Sequence, residues 1–491
     1  LSVPVLCRQE IVRMRTRRLN LAPMAASLAA LLLSSEAGLA NPAISARPTD
    51  GSADRPRSQL DNPQSSAQSV LDEARAAQPQ HAHPLYGPHT LEHTRAALAF
   101  YEELAAGGGW PMLPLQIAGL KAGSRGGNVE QLKVRLILTG DLDPDAAGGD
   151  LFDKATEDAL KRFQLRHGLS QTGSVGRLTT RALNVPVDVR LNQLRASIHR
   201  LEGNAFAFTS RYVVVNIPGA QVEAIDNGVV ERRHVAIVGR PDRPSPVLAT
   251  RITAVNLNPT WTVPMSIIKA DIMPQMAKDP TWLAKHNMRV IGAGNQEIDP
   301  KTIDWKTPRN PNFFVRQDPG PTNSLGTIRI DMPNSHAVFM HDTPKKELFR
   351  NDVRFNSSGC ARVDGVKDLA LWLLKGSDWD QTKIDAALVI GERKDIRLSR
   401  SVPIAWVYLT GWAAGDSMIH FRDDIYGLDT PEGLVTSTIS PRKPAPVTPA
   451  TVKPAAVPAP PSRPAAPQPV RYMPQPLPAP PPGATPVALG R

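Results

Sequence analysis

Residues 340–363 read MHDTPKKELFRNDVRFNSSGCARV. The apolar residues up to Met340 have strand texture, His341 ends that run, and an irregular polar segment leads to Cys360. A strand end carrying an imidazole beside a loop carrying a thiol is a feasible way to bring base and nucleophile together. The thiolate is the reactive form of cysteine, and histidine is its natural base near neutral pH. A solvated loop histidine near a buried cysteine fits the same spacing, so the pair alone leaves both readings open.

The chain has 491 residues and two cysteines, Cys7 and Cys360. Cys7 precedes MRTRRLNLAPMAASLAALLLSSEAGLANPA, which starts at Met14 with three arginines. An apolar stretch from Leu19 to Leu33 follows, then the small residues Gly38 and Ala40. This pattern predicts a secretory signal cleaved near Ala40, with residues 1–13 as upstream extension. The apolar run is shorter than the ~20 residues of a spanning helix. Cys360 is then the one cysteine of the exported chain and has no intramolecular disulfide partner. A lone thiol is kept for reactivity, for an intermolecular bridge, or as a small buried apolar group.

The net charge of +11 raises the possibility of nucleic-acid binding, but its distribution speaks against it. Residues 1–40 carry +3 and residues 441–491 carry +6, which leaves +2 for everything between. The basic balance belongs to the leader and the tail, and no nucleic-acid partner is expected. No His/Asp/Glu cluster has metal-ligand spacing, and neither metal nor cofactor is expected.

Composition and periodicity divide the chain. Residues 41–88, rich in Pro, Ser, Gln and Ala, read as a linker. TLEHTRAALAFYEELAA, Thr90–Ala106, has helical spacing and ends at GGGW, within a scaffold segment of residues 89–125. Residues 126–200 read as a helical domain. Val129, Leu132, Leu136 and Leu138 share one side of its first helix, and Asp153 and Gly168 bound the second. From residue 205 to 430, short β-branched runs cut by Gly, Pro and Asn predict a mainly antiparallel β domain. A helical insertion is expected over about 265–312, a helix at VDGVKDLALWLLKG, and strands again at DAALVIGE and IAWVYLTGWAAGDSMIHFRDDIYG. Residues 438–491 alternate Pro with Ala, Val and basic residues and read as an extended tail.

Residues 340–363 resemble the signature of the L,D-transpeptidases, the YkuD-domain cysteine enzymes of bacterial cell walls. In that family a His is followed, after a gap, by Ser-His-Gly-Cys and an Arg or Asn two residues later. VGRPDRPSPVLATRITAVNLNPTWTVPMSI, FVRQDPGPTNSLGTIRIDMPNSHAVFMHDTP, GGGWPMLP and FRDDIYGLD extend the likeness to the large periplasmic branch, over roughly residues 90–430. DKATEDALKRFQLRHGLSQTGSVGRLTTRALN resembles the three-helix peptidoglycan-binding module. The resemblance implies an α+β multidomain chain: a YkuD-like β-sandwich with an inserted helical subdomain, plus a peptidoglycan-binding-like unit.

Carried over by position, the resemblance makes Cys360 the nucleophile and His341 its base, with the Asp342 backbone carbonyl orienting the imidazole. Backbone N–H groups near Gly359 and Cys360 become candidates for an oxyanion hole, and Arg362 a partner for a peptide carboxylate or a structural ion pair. Ser358 departs from the family, which has His there. That substitution predicts a less acidic Cys360 and altered turnover. The implied reaction joins peptidoglycan stem peptides through a cysteine thioester, releasing D-Ala and forming 3→3 crosslinks in the periplasm. Water as acceptor would make the chain an L,D-carboxypeptidase, and an amine of an outer-membrane protein would make it a tethering enzyme. An inactive wall-binding scaffold is the reading from another class.

Overall fold

A computed structural model describes residues 83–306, 312–415 and 418–439. The expected leader, most of the linker, the Pro-rich tail beyond Ile439 and residues 307–311 of the insertion lie outside the described residues. The end of the expected linker joins the fold: Leu85 and Tyr86 are buried against Tyr212, Val214 and Trp412.

Helix α1, Thr90–Ala106, buries Ala97, Tyr101 and Leu104, the stripe its sequence spacing sets up. Three further helices form a small unit: α2 Gly127–Leu138, α3 Lys154–Arg166 and α4 Arg177–Leu183. Val129, Leu132, Leu136, Leu160, Phe163 and Leu183 make its core. Leu138 lies at the half-buried edge of that stripe, and Ile137 is buried instead. The Asp153 carboxylate caps α3, accepting from the Thr156 N–H at 2.9 Å and its hydroxyl at 2.7 Å. A cap of this kind contributes about 1 kcal/mol. At the other end of α3, Arg166 makes two bonds to the buried Asp141 carboxylate, at 2.7 and 2.6 Å. Its Nη1 also donates to the Ile419 carbonyl, which ties the unit to the C-terminal part of the chain. Removing Asp141 would strand a buried guanidinium, at a cost of about 3–5 kcal/mol.

Helix α5, Val187–Glu202, was grouped by sequence with the helical unit. Its Leu191 and Leu194 pack instead with Ala97 and Tyr101 of α1 and with Ala413 and Phe421.

The β domain follows. Strands β1 Arg211–Asn216, β2 Gln221–Asp226, β3 Val229–Gly239 and β4 Leu248–Leu257 come first. An insertion then holds β5 Trp261–Val263, β6 Met288–Ile291, β7 Glu297–Ile298 and β8 Phe314–Gln317. Strands β9 Ile328–Asp331, β10 Met340–His341, β11 Phe355–Ser357 and β12 Ala361–Val363 return to the main sheet. Helices α6 Val366–Leu373 and α7 Gln381–Ile390 precede β13 Lys394–Val407 and the hairpin of β14 Gly411–Ala413 and β15 Ile419–Phe421.

The main sheet runs β11-β3-β12-β10-β9-β4-β13-β1-β2, and β2 also pairs with β3. The expected sandwich is therefore one sheet folded over until its ends join. Most neighbours are antiparallel; β1–β13, β10–β12 and β11–β3 are parallel. Val213, Val255, Ile330, Met340 and Trp406 line one face and pack with Leu369 and Ala370 of α6.

Two expectations need correcting. DAALVIGE is not a strand but the body of α7. Its helix is set by Asp380, which accepts from the Lys383 N–H at 2.8 Å, and by Gly391, which stops it at φ 76°. The insertion is also not purely helical. Residues 265–276 form one helical stretch after Pro264, π-helical over Ile268–Ile272, and Trp282–Lys285 adds a single turn after Pro280. They cover a four-stranded sheet, β5-β8-β6-β7, with its own core of Val263, Ile268, Met276, Val290 and Val315. Among the described residues no helix is long and apolar enough to cross a membrane.

Candidate active site

Strand β10 is only two residues long, but it sits between β9 and β12. Its antiparallel partner places Arg329 opposite His341, and its parallel partner places Arg362 opposite His341 on the other side. Residues paired across a sheet share a face, and the face alternates along a strand. Arg329, His341 and Arg362 therefore form a row across three strands. Cys360 directly precedes β12, where it packs at the edge of the main core and feels the charges of Arg329 and Arg362, and the Ala361 N–H donates to the Phe339 carbonyl at 3.1 Å. The long polar segment between His341 and Cys360 thus returns the thiol to the start of the strand paired with β10.

His341 is 6% exposed. Its Nδ1 meets the Asp342 carbonyl at 2.5 Å, which fixes the proton on Nδ1 and leaves Nε2 as the basic nitrogen. Phe339 packs against the ring edge, with centroids 5.6 Å apart. The Asp342 carboxylate is turned away from the imidazole. It accepts from the Thr327 N–H at 3.0 Å and hydroxyl at 2.9 Å, and it pairs with Lys346. Burial, then the Arg362 charge, lower the His341 pKa to about 3, against the opposing effect of the Asp342 carbonyl. The ring is neutral at pH 7.

Cys360 is half-buried. Burial raises its pKa to about 11, while the Phe339 backbone and the charges of Arg329 and Arg362 pull it back. At rest the thiol and the imidazole are both neutral. Arg329 is a residue that sequence reading gave no role. Its guanidinium bonds Asp331 through Nε at 2.7 Å and lies over Phe339 at 4.6 Å. The signal was present in TIRID: Ile328 and Ile330 are the apolar half of the alternation, so Arg329 and Asp331 occupy the opposite face.

The turn ahead of the thiol is closely braced. Gly359 has φ 111°, a conformation that strains any residue with a Cβ. Its N–H donates to Ser357 Oγ at 3.2 Å, and the Ser357 hydroxyl donates to the Cys360 carbonyl at 2.5 Å. The Ser245 hydroxyl donates to the Gly359 carbonyl at 2.8 Å while its Oγ accepts from the Gly239 N–H at 2.9 Å. Tyr426 closes this network by donating to the Gly239 carbonyl at 2.7 Å. Gly239 must lack a side chain, because a Cβ there would lie 2.4 Å from the Arg243 carbonyl oxygen. Of the two N–H groups expected at an oxyanion hole, that of Gly359 is thus held by Ser357. The Cys360 N–H makes no hydrogen bond among the described residues.

Ser358 is exposed and accepts from Arg243 Nη1 at 3.1 Å. The same guanidinium bonds Asp271 of the insertion through both Nη atoms, at 2.7 and 3.1 Å. Arg243 therefore brings a cation to the residue before Gly359, with its charge balanced by Asp271. Ser245, Tyr426 and the Arg243–Asp271 pair were not found by sequence reading, since each reaches the turn from a distant segment.

Residues 210–385 match the YkuD family, described as L,D-transpeptidase catalytic domain. Residues 125–183 match a family described as "Putative peptidoglycan binding domain". The chain carries a YkuD L,D-transpeptidase catalytic domain and a peptidoglycan-binding domain. The YkuD match contains His341 and Cys360 and the whole insertion, and the second match spans α2–α4. A Haemophilus influenzae protein named "Putative L,D-transpeptidase" is 32% identical over 218 residues. That match spans 44% of this chain and 44% of the Haemophilus protein. An L,D-transpeptidase structure from Xylanimonas cellulosilytica is similar at 15% identity, covering 60% of this chain and 99% of that one, with a TM-score of 0.20. For L,D-transpeptidase 1 of Mycobacterium tuberculosis the figures are 16%, 40%, 61% and 0.17. Among the described residues of the YkuD domain and its neighbours, no group of three or more His, Cys, Asp or Glu could hold a metal ion.

Proposed function

We propose that this chain is an exported peptidoglycan L,D-transpeptidase that forms 3→3 crosslinks in the periplasm, with Cys360 as nucleophile and His341 as base. The observation that carries the reading is the row of Arg329, His341 and Arg362 beside Cys360, with His341 Nδ1 held by the Asp342 carbonyl. In this reading the thiol attacks the carbonyl between the third-position diamino acid and the terminal D-Ala of a donor stem. His341 Nε2 takes the thiol proton as the S–C bond forms. The same proton goes to the leaving D-Ala nitrogen when the C–N bond breaks, leaving a thioester on Cys360. An amine of a second stem then attacks the thioester, and the proton it loses returns the thiol through His341. A covalent intermediate divides one difficult exchange into two easier steps.

The electrostatics suit a proton that moves only during attack. A neutral half-buried thiol gains little from ionising at rest, while Arg329 and Arg362 favour sulfur-centred negative charge once substrate excludes water. The Cys360 N–H is the donor available to a tetrahedral oxyanion. Arg362 faces the same side as His341 and suits a peptide carboxylate. The insertion, tied to the nucleophile turn through Asp271, Arg243 and Ser358, would act as a lid that disfavours water as acceptor.

The test is product analysis. Residues 41–440 incubated with disaccharide-tetrapeptide should give crosslinked dimer with loss of D-Ala, and Cys360→Ala should give none. Tripeptide alone would replace the transferase reading with hydrolysis.

A further inference from the structure

A cavity of about 350 Å³ lies between the peptidoglycan-binding domain and the sheet, away from Cys360. The loop after α3, the turn before β2, part of β3, the segment before β11 and β15 all contribute to its wall. A smaller cavity of about 60 Å³ shares part of that wall. The volume of the larger cavity is at the low end of the range of small-ligand sites.

Two arginines line both cavities, Arg354 and Arg422. Arg354 donates through Nη1 to the Asn351 carbonyl at 2.7 Å, and its buried Nε has no partner among the described residues. Arg422 donates through Nη1 to the Arg166 and Phe421 carbonyls, at 2.8 and 2.7 Å, and its buried Nε is likewise without a partner there. Neither guanidinium reaches a carboxylate at ion-pair distance among the described residues, unlike Arg166, Arg200 and Arg233, which do. Asp364 and Asp423 also line the two cavities, and three of the wall's acids are already engaged: Asp352 by the Ser170 N–H and hydroxyl, Glu223 by the Leu85 N–H and Arg233, and Asp423 by Arg181. Burial, then repulsion from Arg354, lower the Arg422 pKa to about 9. Both guanidinium groups are half-buried with a buried, unpaired Nε, and Asp352 and Asp423 attract them without reaching ion-pair distance, so an added anion would be favourable. A carboxylate matches the planar fork of a guanidinium.

The position is as informative as the charge. Arg354 directly precedes β11, and its carbonyl accepts from the Val238 N–H at 3.0 Å. An anion held there sits at the root of the segment that delivers Cys360.

We propose that this cavity binds a carboxylate of a peptidoglycan stem peptide, as a second substrate contact between the wall-binding domain and the catalytic sheet. The ligand class rests on the peptidoglycan reading given above; the anion preference rests on the two arginines.

The test is calorimetric titration of the full chain carrying Cys360→Ala, so that nothing turns over, with disaccharide-tetrapeptide. Two peptides should bind per chain, and Arg354→Gln should weaken one of them about tenfold, the scale of one charge-assisted hydrogen bond. Arg354→Lys should retain most of that affinity. Gln171→Glu, an exposed change at the cavity rim, should weaken the same site severalfold without burden on folding. In the chain with Cys360 intact, Arg354→Gln should leave the rate of iodoacetamide alkylation unchanged. Unaltered tetrapeptide binding in both Arg354→Gln and Gln171→Glu would overturn the proposal. So would inorganic phosphate displacing tetrapeptide as well as tetrapeptide itself does, since the site would then read a bare anion. If tetrapeptide binds here in an Arg354-dependent way but the intact chain makes no crosslink, the reaction reading fails and this one stands.

Discussion

His341 and His167 are alike in most respects that usually mark a catalytic histidine. Both are buried, at 6% and 8% exposure. Each holds Nδ1 against a backbone carbonyl, Asp342 at 2.5 Å and Phe163 at 2.7 Å. In both, burial first and a neighbouring arginine next push the pKa down. They differ in what surrounds the ring. His167 is stacked on Phe163 at 3.9 Å and on Phe421 at 5.8 Å, where it joins the helical unit to β15. His341 shares its strand face with two guanidinium groups, next to the strand that Cys360 directly precedes. A depressed pKa therefore marks burial in both places, and only under the proposed function does the nearby thiol give it a chemical use.

That contrast can be broken by substitution. Cys360→Ala should reduce acyl transfer by about 10⁴-fold or more, and His341→Ala by about 10²–10⁴-fold, with kcat falling rather than KM rising. His167→Ala should do the reverse. It should lower the urea midpoint by an amount worth about 2–4 kcal/mol and leave kcat per folded molecule intact. Loss of kcat in His167→Ala at full stability would erase the distinction.

The thiol itself sharpens it further. With the Cys360 pKa raised to about 11, the thiolate fraction grows about tenfold per pH unit below that value. Iodoacetamide alkylation should therefore keep accelerating from pH 7 to pH 10. A plateau below pH 8.5 would show a preformed ion pair and contradict the neutral resting state. The smallest effect expected is that of Ser358→His, which should raise the alkylation rate at neutral pH a fewfold; no change would mean that Arg243 already supplies what the family's histidine does.

The sequence carried the helical unit well, because its information is local. Asp153, the Val129–Leu132–Leu136 stripe and Gly168 lie within one or two turns of the structure they specify. DAALVIGE misled because a short apolar run fits strand and helix alike, and its capping residue Asp380 lies outside it. The insertion misled for a related reason. Its helical turns are contiguous in sequence, whereas β6 pairs with β8 across more than twenty residues. His341 and Cys360 stood out in the sequence by residue type and order, and strand pairing places His341 on the strand next to β12, which Cys360 directly precedes. Arg329, Ser245 and Tyr426 were not, since strand pairing and loop closure bring them in from segments far along the chain.

Intact-protein and peptide mass spectrometry after mixing the chain with disaccharide-tetrapeptide tests the central claim most directly. The account predicts an adduct of the donor minus D-Ala on the peptide containing Cys360, absent in Cys360→Ala and slow to form in His341→Ala. An adduct on any other residue, or unchanged product formation in Cys360→Ala, would contradict it.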